Sequence, residues 1–247
     1  MSAEAIGLLA LAAVATSALS AVVGMAGGIA LLGVLLLFLD PLVAIPLHAV
    51  VQLVSNASRT VAQREHVDWT IARAFVLPLL PAGALGLAVG RELPPDALRI
   101  GIAALVLVAT WRPQWLRLAP DPDPARIGRR FFSLGAAIGF LNVTIGATGV
   151  LAAPFFQGLG LSRREIVGSQ ALCQAAGHVA KIALFGLAGF AFRPHALLLA
   201  ALCVSSLAGT LLGTALLERV DERTFTRVYR VVLSLLAAEL LLEGVGI

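Results

Sequence analysis

Residues 170–192 read QALCQAAGHVAKIALFGLAGFAF, an apolar run interrupted by polar side chains at a regular spacing. Gln170, Gln174, His178 and Lys181 stand at relative positions 0, 4, 8 and 11, which places them within about 80° of one helical face at 100° per residue. Lys181 is the only lysine of the chain, and eleven uncharged residues, Ile182 to Phe192, separate it from Arg193. A cation near the centre of a bilayer costs at least about 3 kcal/mol, so it faces a cavity, a partner or a ligand. The segment reads as a membrane-crossing helix with one polar stripe.

The same stripe occurs 122 positions earlier, as His48, Gln52, Asn56 and Arg59. Two polar stripes, each ending in a cation, indicate a duplicated membrane protein that handles an anion. Other features recur in the same order at slowly growing offsets. Gly28-Ile29 recurs as Gly149-Val150, Gly83 as Gly209, and Pro94-Pro95-Asp96 as Asp221-Glu222-Arg223. Small loop insertions produce such a drift.

Composition supports the class. Of 247 residues, 59% are hydrophobic and 13% charged, about half the charge of a soluble domain. Eight apolar spans are expected, near 5–39, 41–61, 70–91, 95–111, 131–158, 165–192, 195–217 and 224–246, each long enough to cross a bilayer. The stretch from Arg112 to Arg130 holds four prolines and two aspartates and reads as a linker. The expected organisation is a first four-span repeat over 1–112, a linker over 113–130 and a second four-span repeat over 131–247. With an even number of spans per half, the two halves are expected to be parallel, related by an axis along the membrane normal. On that topology nine arginines lie on one side and eight on the other, so the positive-inside rule gives no orientation. The N-terminus lacks a basic region and carries Glu4, which reads as a retained span and not a cleaved signal peptide.

The first span is too long for one helix. Its 35 residues would run about 52 Å against a hydrocarbon core of about 30 Å. Its middle, Gly24-Met25-Ala26-Gly27-Gly28, is a poor helix interior, since each glycine costs up to about 1 kcal/mol relative to alanine. The fifth span has a counterpart in Gly146-Ala147-Thr148-Gly149, preceded by Asn142 and Thr144. A broken or re-entrant helix is expected in each half, buried in protein or lining a cavity. A helix restarting after such a break offers unpaired N–H groups and the positive end of its dipole to an anion. Glycines in membrane helices also serve close packing, Arg59 is near enough to Arg64 to reach the interface, and either histidine can bond across helices.

Several functions are excluded or disfavoured. No Asp or Glu stands deep in any span, whereas cation pathways need buried carboxylates or carbonyl cages. Cys173 and Cys203 form no disulfide framework and no metal-ligand spacing,. The formal charge of +4 is spread over loops, with no basic run or aromatic platform for nucleic acid. No hydrolase motif is present and no nucleotide-binding motif, so neither enzyme activity nor a cofactor is expected. The arginine-rich composition fits a GC-rich bacterial gene.

A series of short motifs stands in order along the chain: Gly24 to Ile29, Leu42 to Val50 (LVAIPLHAV), and Val67-Asp68-Trp69 before the third span. Gly83-Ala84-Leu85-Gly86, Leu93 to Arg99 (LPPDALR), and Leu161 to Ile166 leading into Gln170 continue it. In these motifs and their order the chain resembles the sulfite exporter TauE/SafE family, and the resemblance covers nearly the whole chain. The usual glycine triplet is replaced by Ala26-Gly27-Gly28 and Ala147-Thr148-Gly149. The resemblance implies transport of sulfite, related sulfur oxyanions or organosulfonates.

The reading is an all-α polytopic protein of a bacterial inner membrane, a secondary transporter of a small anion by alternating access. Gly24, Gly27, Gly28, Thr148 and Gly149 are the expected backbone cradle. Lys181 and Arg59 are the expected charges, and His48, Gln52, Asn56, Gln170, Gln174 and His178 the expected hydrogen-bonding groups. His178 is able to change charge near neutral pH, so proton coupling is a further expectation. The rivals are an anion channel and a non-transporting membrane partner.

Overall fold

The computed structural model describes residues 3–23, 26–112, 115, 124–146, 148–156, 159–216 and 222–245. Among these, the regular structure is entirely helical. The first half contains α1 (Ala3–Val23), α2 (Ala26–Leu36), α3 (Pro41–Ala62), α4 (Trp69–Val76), α5 (Leu79–Glu92) and α6 (Pro95–Trp111). The second contains α7 (Pro124–Thr144), α8 (Gly149–Phe156), α9 (Arg163–Leu187), α10 (Ala196–Leu216) and α11 (Glu222–Val245).

Helix starts follow local chemistry. Asp40 accepts the Leu42 N–H at 2.9 Å with Pro41 in the first turn of α3, a side-chain cap before a residue with no N–H to satisfy. Asp68 caps α4 by accepting from Thr70 and Ile71. Ser162 and Glu165 cap α9 reciprocally,. Leu77 and Pro78 keep right-handed helical torsions between α4 and α5, so Trp69–Glu92 reads as one crossing of 24 residues.

Both long spans are broken. The first divides into α1 and α2, the fifth into α7 and α8. At the second break Gly146 has φ +88, a left-handed torsion that glycine adopts without a Cβ penalty.

Polarity is inverted relative to a soluble protein. His48, Gln52, Asn56, Asn142, His178 and Lys181 are buried, while Leu77, Leu187, Leu197 and Leu211 are each more than 70% exposed. Such an apolar exterior matches lipid. Pro41–Ala62, Trp69–Glu92 and Arg193–Gly213 are individually long and apolar enough to cross a membrane. In α9 the polar stripe itself dilutes the apolar signal.

The main helix pairs each join one helix from either side of the linker: α1 with α10, α5 with α7, α3 with α9, and α6 with α11. Small residues set the first two seams. A Cβ on Gly209 or Gly213 would strike the Val14 or Ala18 carbonyl of α1, one on Gly86 would strike the Phe140 carbonyl across α5 and α7, and one on Gly135 of α7 the Phe75 carbonyl of α4. Backbones approach closely only where side chains are absent. Ser17 and Ser206 add a buried 2.8 Å hydrogen bond between α1 and α10.

These contacts give the sense of each helix. In α1–α10, Val14 meets Gly209 and Ala18 meets Gly213, so the pair is parallel. In α3–α9, Gln63 meets Gly168, while Leu42 shares a cleft with Phe185 and Ala188, so that pair is antiparallel. In line, α9 and α10 would run about 69 Å, so the chain turns between them and α10 has the sense of α3. Hence α1 also has the sense of α3, and α2, between them, runs back. Parallel halves were expected, with equivalent helices α3 and α9 running the same way. They run opposite ways, because the break in each long span reverses the chain once.

Candidate functional site

A cavity of about 30 Å³ lies between the two breaks. Gly28 from the first turn of α2 lines it, as do Thr148 and Gly149 at the start of α8. His48 and Gln52 enter from α3, Gln174, Gly177 and His178 from α9, and Ile138 and Asn142 from α7, with Ile29 beside Gly28. On this measure a water needs about 10–15 Å³, so the space suits a small ion.

The first-turn N–H groups of a helix have no intrahelical acceptor, and two helix starts bordering one buried space make it electropositive. The His48 Nε2–H donates to the Gly28 carbonyl at 2.8 Å. The imidazoles of His48 and His178 meet edge to face with centroids 6.0 Å apart. Gln52 lies against Gly28, where an added Cβ would sit 3.2 Å from its amide carbon. No carboxylate is among the buried side chains of the described residues. Nor is any cluster of three or more His, Cys, Asp or Glu there placed to hold a metal ion.

Lys181 is fully buried but stands behind the cavity wall. Its Nζ donates to Asn142 Oδ1 at 3.0 Å and to the Gly146 carbonyl at 2.7 Å. The ammonium thereby ties the end of α7 to the break. It also fixes the Asn142 amide, whose oxygen faces Lys181 and whose Nδ2 lies 3.4 Å from where a Gly177 Cβ would be. Gly177 leaves room for that nitrogen at the cavity edge, so Asn142 presents a donor there.

The expected site residues therefore divide. Gly28, His48, Gln52, Thr148, Gly149, Gln174 and His178 surround one cavity. Gly27 is buried in the first turn of α2, and Gly24 lies outside the described residues. Asn56 donates back to the Gln52 carbonyl at 2.9 Å. Arg59 is half-buried with Nη2 on Ser55 Oγ at 3.2 Å, and Gln170 lies two turns before His178. Asn142, noted from sequence only as preceding the second glycine cluster, was not among the expected site residues, because it belongs to neither polar stripe.

A family model described as sulfite exporter TauE/SafE matches residues 9–240. The chain belongs to the TauE/SafE family. No curated protein and no solved structure matches it. As a TauE/SafE protein it is a membrane protein of a family of transporters of sulfur anions, not enzymes. The electropositive cavity between the broken helices fits that class of cargo.

Proposed function

We propose that this TauE/SafE protein is a secondary transporter that carries sulfite, or an organosulfonate, across a bacterial inner membrane by alternating access. The observation that carries the reading is the meeting of two helix starts at one buried cavity lined by amide and imidazole groups and free of carboxylates among the described residues. Backbone donors at Gly28 and Gly149 hold the anion, Gln52, Gln174 and Asn142 orient it, and Lys181 supplies charge through Asn142. The cavity size supports a small oxyanion over a long sulfonate.

In this reading the chain is two repeats, 1–112 and 131–247, joined by 113–130; the first of the four spans in each folds back at its break, three segments cross, and the repeats are inverted about an axis in the membrane plane. The recurrence of a long helix, a short restarted helix and a striped helix in each half supports it, as does the antiparallel α3–α9 pair. Inverted repeats with broken helices at the midplane are a known transporter design. Because α1 seats on α10 and α5 on α7, the units that rock are drawn from both halves.

The revised senses also support an orientation. Arg59, Arg64, Arg73, Arg112, Arg126, Arg129, Arg130, Arg163, Arg164, Arg223, Arg227 and Arg230 belong to helix ends on the linker side, against Arg91, Arg99 and Arg193 on the other. The positive-inside rule then puts the linker in the cytoplasm. Single cysteines introduced on a Cys173→Ala/Cys203→Ala background test this. Gln114→Cys should resist a membrane-impermeant thiol reagent in intact cells, and Glu4→Cys should react; the reverse pattern would overturn the orientation.

The cradle has its own test. Gly28→Val and Gly149→Val should each abolish the thermal stabilisation that sulfite gives the purified protein, while the ligand-free protein remains monodisperse. A full ligand response in both variants would make the breaks packing devices.

A further inference from the structure

The hydrogen bonds around the cavity leave one acceptor without a donor. His48 Nε2 carries its hydrogen to the Gly28 carbonyl, so in the neutral ring Nδ1 bears only a lone pair. That Nδ1 is buried with no hydrogen-bond partner, as is Nδ1 of His178, and both rings line the cavity. His48 is 1% exposed and His178 6%. A fully deprotonated oxyanion has only acceptor oxygens, so it would set one lone pair against another in a space where unpaired polar atoms are costly.

Resting on the anion reading, we infer that the cavity takes up one proton with each anion, held between an anion oxygen and Nδ1 of His48. The proton arrives either on the ligand, as the hydroxyl of a hydrogen-bearing oxyanion such as hydrogensulfite, or on the imidazole. In both cases the contact is an N···H···O bond where two lone pairs would otherwise face each other. The charged and titratable groups around His48 are Lys181 and His178, both on α9, while Arg59, three turns along the helix of His48, acts on His178. Neither α2 nor α8 carries a titratable side chain. Lys181 is not among the residues lining the cavity, and its Nζ is directed to Asn142 Oδ1 and the Gly146 carbonyl. Linkage is reciprocal: a bound anion favours the proton, and the proton favours the anion. Methanesulfonate moving with one proton would carry no net charge, whereas sulfite with one proton, on the ligand or on the imidazole, would carry one negative charge, so only the first flux would be independent of membrane potential.

The test is calorimetric titration of the purified full-length protein with sulfite and with methanesulfonate, in buffers of different ionisation enthalpy. At about pH 8, above the ordinary histidine range, sulfite binding should take up close to one proton, and affinity should fall up to tenfold per pH unit. Uptake with both ligands places the proton on the imidazole, and uptake with sulfite alone places it on the ligand. His48→Gln keeps a donor able to reach the Gly28 carbonyl but loses Nδ1, so the proton count should drop to near zero and the pH slope flatten. Sulfite binding without proton uptake in the wild type, or an unchanged count in His48→Gln, would overturn the inference. If neither ligand binds at any pH, the anion reading itself fails, and this inference with it.

Discussion

Lys181→Met should reduce sulfite transport at least about a hundredfold, a loss of about 2.7 kcal/mol or more. The methionine fills similar volume but leaves Asn142 Oδ1 and the Gly146 carbonyl without their donor. Each buried oxygen so orphaned costs about 1–3 kcal/mol, and the break between α7 and α8 loses its tie. The Asn142 amide is then free to turn its oxygen toward the cavity. Asn142→Asp separates charge from folding: the carboxylate should pair with Lys181 and preserve the fold, yet its negative charge at the cavity edge should expel the anion. Arg59→Gln should lower transport less than about tenfold, under about 1.4 kcal/mol, since Arg59 bonds within its own helix. Initial uptake rates in proteoliposomes, read beside thermal melts, give both quantities. Wild-type rates in Lys181→Met would remove the lysine from the account.

The second large effect is on assembly. Gly135→Leu and Gly209→Leu each drive a side chain into a carbonyl on the facing helix. Those atoms are backbone and cannot rotate aside, so each change should cost about 3 kcal/mol or more and yield aggregated protein on size exclusion. Gly101→Ala, with nothing within 4 Å of its added Cβ, should stay within about 1 kcal/mol of wild type. Monodisperse, wild-type-like elution of both leucine variants would refute the close seams.

The sequence made some of this legible. Span length and the two glycine clusters indicated broken helices, and α2 and α8 restart beside them. Periodicity put His48, Gln52, Gln174 and His178 on inward faces, and these four line the cavity. The ends of the stripes behave differently. A stripe is a line along a helix, whereas two crossing helices share one region, so Asn56, Arg59 and Gln170 lie away from it. The partner of Lys181 was not readable, because Asn142 and Gly146 lie 39 and 35 positions away and reach it only through the seating of α7. Helix sense was misjudged for a related reason. Glycine clusters signal that a helix stops, but its direction on restarting depends on packing, here α2 against α1 and α3. In the proposed reading, that single reversal in each half makes the repeats inverted instead of parallel and gathers arginines that had looked evenly divided.

The most direct test is the uptake of labelled sulfite by proteoliposomes holding the purified chain. The account predicts saturable uptake above that of empty liposomes, abolished by Asn142→Asp in a protein that still folds. Folded wild-type protein whose uptake equals that of empty liposomes, with either direction of the proton gradient, would contradict it.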